Sequence, residues 1–198
     1  MTTRRIASLV SVVCLIIAVG GCGTSPVSHF YTLDPTASPV GAPVLPAKVM
    51  VGPITMPASV DRPEFVVRVA NNQVKVDEFN RWDAPLDDIV ARTIAGDLSV
   101  QLGSPDVTTT PLANFRADYW VTVNVERFES SRGNYALVES VWTVRRTVDG
   151  ETRSGRTSTR ESVKDDSFDA LAAAHSRALA SLSDDIASAI RSLAGKTH

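Results

Sequence analysis

With 198 residues, the chain has the length of a single domain. Its 20 basic and 22 acidic side chains give a formal net charge of −2, and this acidic balance without a basic block argues against a nucleic-acid-binding protein. The sequence contains no internal repeat, so a solenoid or propeller is not expected.

The first 21 residues are predicted to be a secretion signal. Arg4 and Arg5 precede an uncharged apolar run at residues 6–19, and two small residues then lead to Cys22. This is the three-part layout of a secretory signal. The apolar run is shorter than the ~20 residues that a membrane-spanning helix needs, so a permanent transmembrane span is less favoured.

Cys22 is the predicted lipidation site. The sequence Val19-Gly20-Gly21-Cys22 resembles a lipobox, whereas the alternative is a plain signal with a chance cysteine. Cleavage before Cys22 removes Cys14 and leaves 177 residues with one acylated cysteine, which excludes a disulfide, a thiol nucleophile and a cysteine metal site. Gly23 replaces the aspartate of inner-membrane retention signals, which favours the outer membrane with the domain facing the periplasm.

Residues 22–47 are predicted to be a lipidated N-terminus followed by a proline-rich tether. The tether contains one apolar island, Phe30-Tyr31-Thr32-Leu33. This island is expected to pack as an edge strand on its own domain, with packing on a partner as the alternative.

The domain itself is predicted at residues 48–195. A β-rich run at 48–54 is followed by two runs at 64–70 and 73–76, which Asn71-Asn72 joins as a plausible hairpin. Asp83-Ala84-Pro85 then marks a helix start, and Gly103 marks its end. The apolar face of this first helix comprises Leu86, Ile89, Val90, Ile94, Leu98 and Leu102.

Alternating apolar residues predict a strand block after this helix. The predicted core positions are Tyr119, Val121, Val123, Val125, Ala136, Val138, Trp142, Val144 and Val148. Asp149-Gly150 is a strong hairpin signal. It leads into residues 152–163, which contain almost no apolar side chain and are therefore expected to lie at a sheet edge or to face water.

The C-terminal segment from Phe168 is the clearest predicted helix, with Arg177, Ser181, Asp184, Ser188 and Arg191 on its polar face. Its apolar stripe contains Leu171, Leu179, Leu182, Ile186, Ile190 and Leu193. The order of elements predicts an α/β (α+β) fold, with a two-layer single domain in which two helices cover one face of a mostly antiparallel sheet.

The sequence offers no credible catalytic site. His175 falls in the middle of the apolar stripe, where a hydrogen-bonded core histidine is favoured over a proton carrier or metal ligand. The aspartate pairs lie at helix ends or on polar faces, and the nucleophile, phosphate-loop and zinc motifs of common enzymes are missing from the sequence. No catalytic residue, cofactor or metal is predicted, and an enzyme is the minor hypothesis.

Three segments suggest binding to a partner: the island with Tyr31, the loop at 56–63 with Asp61 and Arg62, and the segment at 80–86 with Arg81 and Trp82. Arg62 is equally compatible with a structural ion pair that fixes a turn and with a guanidinium offered to a partner. Arg81 and Trp82 are compatible with a cation–π stack that supports the helix start, which is favoured, or with partner contact.

Together these motifs resemble the ABC-type transport auxiliary lipoproteins of the PqiC/YmbA type. In that family a lipobox is followed by a Tyr-Thr-Leu island, an Asp-Arg-Pro loop, and Arg-Trp with Pro-Leu at a helix start. The matching segments are 31–33, 61–63, 81–82 and 85–86. The resemblance extends from Cys22 to near the C-terminus, but the polar segment 152–163 departs from the family's more apolar pattern.

The resemblance implies a non-enzymatic outer-membrane lipoprotein of an MCE-type, PqiABC-like intermembrane lipid transport system. In such systems an inner-membrane complex extends a hollow assembly across the periplasm, and the lipoprotein is similar to a docking collar or homo-oligomeric ring. The implied partners are the MCE-domain protein, the outer membrane and further copies of this chain. The alternatives are a structural or assembly lipoprotein with another outer-membrane or cell-wall partner and, third, a periplasmic hydrolase.

Overall fold

The computed structural model describes residues 26–39, 41–110 and 114–195, so the predicted signal and Cys22 lie outside the described residues. The strands are β1 (His29–Tyr31), β2 (Val49–Thr55), β3 (Glu64–Ala70), β4 (Gln73–Trp82), β5 (Val107–Thr108), β6 (Tyr119–Ser131), β7 (Tyr135–Arg146) and β8 (Thr152–Ser162). The helices are α1 (Leu86–Leu102) and α2 (Phe168–Ala194). In these ranges every predicted strand and helix is present.

Strand β6 is the centre of an eight-stranded sheet. One edge of β6 pairs along its length with antiparallel β7, which pairs in turn with β8. The other edge is divided, because the first half of β6 pairs in parallel with β2, whereas Ser130 near its end pairs with β3. From β2 the sheet continues to β5, and from β3 it continues to β4 and β1.

The predicted two-layer α+β fold is confirmed. The longest pairings, β6 with β7 and β7 with β8, are antiparallel. Both helices pack on the sheet and on each other around one core. Buried and exposed residues alternate along most of β6, so the helices cover one face of the sheet while the other carries side chains such as the half-exposed Trp120.

Burial follows the predicted apolar patterns with one exception. All six members of the α2 stripe are fully buried, as are the predicted face of α1 and the predicted core positions of β6 and β7 up to Val144. The prediction for Val148 is wrong, because its side chain is 86% exposed. Val148 follows the end of β7 in the turn before β8, where strand alternation no longer determines which way a side chain points.

The helix boundaries follow local chemistry. Pro85 is the N-cap residue of α1. Asp87 and Asp88 lie in the first turn, where their negative charges interact favourably with the positive end of the helix dipole. Gly103 ends α1 in the left-handed conformation, with a φ of 68° that glycine adopts without strain. Helix α2 begins after Ser167, whose hydroxyl accepts a hydrogen bond from the Ala170 N–H at 3.0 Å.

The apolar island is confirmed as an edge strand. Strand β1 pairs in parallel with β4, so that His29 is opposite Asn80 and Tyr31 is opposite Trp82. Leu33, just beyond β1, is 5% exposed and belongs to the main core.

Residues 33–39 and 41–45 of the proline-rich segment, together called the strap below, pack along the helices. The Asp97 carboxylate on α1 accepts hydrogen bonds from the Thr36 and Ala37 N–H groups, both at 2.8 Å. Burial raises the pKa of Asp97, and these two backbone hydrogen bonds oppose the shift. Arg191 of α2 donates to the Pro43 carbonyl at 2.6 Å. Residues 33–39 and 41–45 are therefore part of the folded unit.

Gly96 provides a direct test of strap packing. A Cβ atom at Gly96 would lie 2.3 Å from Cγ of Pro35, so Gly96→Ala should displace the strap. Alanine alone would stabilise the helix by about 1 kcal/mol, whereas overpacking typically costs about 1–3 kcal/mol. We expect a net loss of stability, measured as a lower urea midpoint of the purified protein.

The matched control for this test is Pro35→Gly, which removes the ring that Gly96→Ala would meet. In the Pro35→Gly background, Gly96→Ala should be neutral or stabilising. If Gly96→Ala stabilises the parent protein as well, the strap does not rest on α1.

Candidate functional site

The loop between β2 and β3 is a tight turn. The Pro57 carbonyl accepts hydrogen bonds from the Val60 and Asp61 N–H groups at 2.9 and 3.0 Å, and the Arg62 N–H donates to the Val60 carbonyl. These bonds fix the backbone that carries Asp61, Arg62 and Pro63. All three residues are exposed.

This turn lies beside the end of β4. The Trp82 N–H donates to the Pro63 carbonyl at 2.7 Å, and the following Asp83 N–H donates to the carbonyl of Tyr31. The Asp-Arg-Pro loop and the Arg-Trp segment, which are separate in the sequence, therefore form one surface.

A groove of about 330 Å³ lies at this junction and is called the loop–helix groove below. It is lined by Asp61, Arg62, Pro63, Trp82, Asp83, Ala84, Pro85 and Leu86. Its interior is apolar at Trp82 and Leu86, which are buried, whereas Asp61, Arg62 and Asp83 give it a charged, exposed rim. The groove therefore combines an apolar floor with charges of both signs.

Glu64 holds the two arginines of this site. Its carboxylate lies 3.2 Å from Nε of Arg62 and 2.6 Å from Nη2 of Arg81. A backbone hydrogen bond and the two guanidinium groups lower the pKa of Glu64. The Arg62 side chain remains 45% exposed. Arg62 is thus a turn-fixing ion-pair partner that still presents part of its guanidinium to solvent.

The predicted cation–π stack of Arg81 on Trp82 is wrong. Arg81 turns to Glu64, while the ring of Trp82 stacks on Phe65 with centroids 4.0 Å apart. Among the described residues, the cations placed over rings are Arg132 over Phe168 and Arg160 over Tyr135. The side chain of Trp82 points into the core, where it is 4% exposed. It therefore packs against the buried ring of Phe65 and not against the surface guanidinium of Arg81.

Trp82 belongs to a buried aromatic cluster that sequence patterns did not predict. The cluster comprises Tyr31, Phe65, Trp82, Phe128, Phe168 and His175. Tyr31 contacts Phe65 edge-on and donates its hydroxyl to Oδ1 of Asn80 at 2.9 Å. Burial and the nearby carboxylates of Asp169 and Asp77 raise the pKa of Tyr31. Tyr31 and Trp82 therefore serve mainly to position this region.

The interpretation of His175 as a core histidine is confirmed. The ring is fully buried, stacks on Phe128 at 3.8 Å, and its Nε2 lies 2.8 Å from the Ser130 hydroxyl. Within the described residues, Nδ1 has no hydrogen-bond partner. A serine–histidine pair in a catalytic triad needs a third group on that nitrogen and access for a substrate, and this buried pair has neither.

The described part of the chain contains neither a metal-ligating cluster nor a membrane-spanning helix. No three His, Cys, Asp or Glu side chains of residues 26–39, 41–110 and 114–195 converge on a point that could hold a metal ion. Neither helix in those ranges is long and apolar enough to cross a membrane.

A family model for the ABC-type transport auxiliary lipoprotein component matches residues 31–187. The fold is similar to a crystal structure of an uncharacterized protein, with a TM-score of 0.68 and 20% identity over 83% of this chain and 99% of that chain. It is also similar to protein XCC0632 from Xanthomonas campestris, of the DUF330 family, with a TM-score of 0.65 and 20% identity over 80% of this chain and 92% of that chain. No curated protein sequence matches the chain.

Trp82 should be required for folding. Truncation of a buried tryptophan to alanine typically costs about 3–5 kcal/mol, so Trp82→Ala should lower the urea midpoint strongly. The matched control is Trp120→Ala, because Trp120 is 43% exposed on the open face of the sheet. That variant should cost only about 0.2–1 kcal/mol, the size of a cross-strand side-chain contribution on a sheet face. Equal effects of the two variants would contradict the burial of Trp82.

His175 should make stability depend on pH. Burial lowers the pKa of His175 from 6.5 to about 3, so between these values the unfolded chain binds a proton that the folded chain does not. The contribution of neutral His175 to stability is therefore fully present above pH 6.5 and is lost as the pH drops, by up to about 1.4 kcal/mol per unit.

The measurement is urea unfolding from pH 7 to pH 4 for the parent and for His175→Asn, which cannot take up this proton. The difference in unfolding free energy between the two proteins should shrink as the pH falls. A difference that stays constant would mean that His175 takes up its proton equally in the folded and the unfolded protein, so that burial does not lower its pKa.

Proposed function

Because the chain belongs to the family of ABC-type transport auxiliary lipoprotein components, we propose that it is the outer-membrane lipoprotein of an MCE-type intermembrane lipid transport system. Acyl chains on Cys22 hold the domain on the periplasmic side of the outer membrane. There the domain docks the far end of the periplasm-spanning MCE assembly and carries out no reaction of its own.

The loop–helix groove is the observation that best supports a docking role. Asp61, Arg62 and Pro63 of one motif on which the resemblance rests meet Trp82 of another at this groove, although the two motifs are separate in the sequence. Their backbones are fixed by hydrogen bonds and prolines before any partner binds, which reduces the ordering cost of association. Exposed arginine beside an apolar pocket is also typical of interface hot spots.

The chemistry of the groove suggests the form of the bound segment. Its apolar floor at Trp82 and Leu86 can receive one apolar side chain, since a volume of about 330 Å³ is near the lower end of ligand pockets. Asp61 and Arg62 on the rim can pair with charges that flank this side chain. We propose that a short segment of the MCE-domain protein binds here, with Asp61 and Arg62 as its main polar contacts.

The roles of the five candidate residues differ in this proposal. Asp61 and Arg62 contact the partner directly. Arg81 holds Glu64, which orients Arg62. Tyr31 and Trp82 form the rigid support beneath the groove, with one edge of Trp82 open to it.

Arg62→Ala should weaken capture of the purified MCE-domain protein by the lipoprotein. Loss of a hot-spot arginine costs about 2 kcal/mol or more, roughly thirtyfold in Kd. The fold should survive, because Arg81 remains paired with Glu64. Binding is measured by interferometry with the lipoprotein in nanodiscs, and thermal melts report folding.

The matched control is Arg156→Ala, which removes an arginine that is 58% exposed and pairs with Glu126 on another part of the sheet. It should bind as the parent does. If the Arg62→Ala variant binds the MCE-domain protein as tightly as the parent does, the docking surface lies elsewhere. Failure of the parent itself to bind an MCE-domain protein, with capture of an outer-membrane barrel or peptidoglycan instead, would favour the structural or assembly lipoprotein.

A further inference from the structure

The sheet edge formed by β1 and β4 carries exposed apolar side chains. Phe30 in β1 is 63% exposed and Phe79 in β4 is 40% exposed. They are the exposed phenylalanines of the described residues, since the others are buried or partly buried. Phe79 directly precedes Asn80, the residue that pairs with His29, so both phenylalanines lie at the β1–β4 edge. Val27, two residues before β1, is 76% exposed.

This edge is close to the predicted anchor. Pro26, the first described residue, lies only four positions after Cys22, and a fully extended chain covers at most about 14 Å over four residue steps. An extended tether at residues 22–47 would have let the domain sit far from the anchor. Because β1 and the strap are packed on the domain, they do not provide this reach. The β1–β4 edge is therefore held next to whatever surface takes up the acyl chains.

The charged groups around this edge are acidic or already ion-paired. The Asp77 carboxylate accepts hydrogen bonds from the Phe79 N–H, the Asn80 N–H and the Asn80 side chain. Arg81, which pairs with Phe30 in the register, is bound to Glu64. Glu78 is exposed, and the described residues of β1 and of the end of β4 include no cluster of basic side chains that would select anionic lipids.

We propose that Val27, Phe30 and Phe79 form a membrane-contact patch that rests in the headgroup region of the bilayer and fixes the orientation of the domain. The proposal rests on lipidation at Cys22, which belongs to the proposed function. Exposed apolar side chains beside a lipid anchor enter the headgroup and acyl boundary because that boundary removes them from water. Since no basic cluster is involved, contact depends little on anionic lipid.

The orientation has a consequence for transport. The loop–helix groove begins at Trp82, which pairs with Tyr31 at the other end of the same short strand. A partner seated in the groove is therefore close to the bilayer, so an MCE assembly docked there would open near the lipid surface.

The test uses the full lipidated protein in vesicles of phosphatidylethanolamine, with or without a minority of phosphatidylglycerol, and no MCE partner. Single-cysteine variants Phe30→Cys and Phe79→Cys carry a nitroxide, and Val148→Cys is the control because Val148 is exposed in the distant β7–β8 turn. Acylated Cys22 does not react with the label. Circular dichroism verifies that each variant is folded.

Collisions of the nitroxide with a water-soluble relaxation agent should be reduced about threefold or more at positions 30 and 79 relative to 148, because the boundary region excludes such agents over ~5–10 Å. The reduction should be the same in both vesicle compositions. Equal accessibility at the three positions would overturn the proposal. So would protection that disappears when the protein is diluted in lipid, because a second copy would then be covering the patch.

Mass spectrometry and vesicle flotation separate this result from the lipidation on which it depends. The parent should carry acyl mass on Cys22 and float, whereas Cys22→Ser should do neither. Absence of acyl mass from the parent would overturn both the anchor and the patch, while an acylated, floating parent with accessible positions 30 and 79 would overturn the patch alone.

Discussion

Stacking of Trp82 on Phe65 is the contact on which the geometry of this protein depends. The two rings join the ends of the β3–β4 pair, and further aromatic contacts extend from them to β1 through Tyr31 and to α2 through Phe168. Each such pair contributes about 0.5–1.5 kcal/mol beyond the area it buries. The cluster thus ties the first strand, the middle of the sheet and the last helix together at one place. Because the Asp-Arg-Pro loop hydrogen bonds to Trp82, it is fixed by the same cluster.

Much of the fold could be predicted because its strongest patterns are local. Alternation in β6 and β7 and the narrow stripe of α2 identify buried faces without knowledge of their partners. The division of one edge of β6 between β2 and β3 could not be predicted, since strand pairing depends on long-range contacts that leave no local periodicity. The strap is a similar case. Its prolines are typical of a tether, and the groups that hold it, such as Asp97 and Arg191, lie in distant helices.

The candidate site shows the same division. Its motifs could be recognised in the sequence, and the structure brings the Asp61 loop beside Trp82. Residue type did not reveal that Trp82 is buried, because tryptophan is common both in cores and at interfaces, and only the position of Phe65 decides between them. The ion pairs of Arg62 and Arg81 depend on Glu64, which directly follows Pro63 and carries no sequence signal that would predict this role.

The polar strand β8 is covered by a side chain of its neighbour β7. Gly155 lies under the ring of Trp142. A Cβ atom at position 155 would lie only 2.3 Å from Cζ2 of that ring, so a larger residue would collide with it. The indole N–H donates to the Thr157 hydroxyl, which in turn donates to Asp185 on α2. Thus the Trp142 ring of β7 supplies the apolar cover that β8 lacks, and β8 contacts this ring with only a glycine and a threonine.

Strand β8 can therefore remain polar, and its exposed Arg156 and Arg160 discourage the addition of another strand at this edge. The β1 edge instead carries a short strand with the exposed aromatic side chain of Phe30, so it is better suited than the β8 edge to contact with an apolar surface.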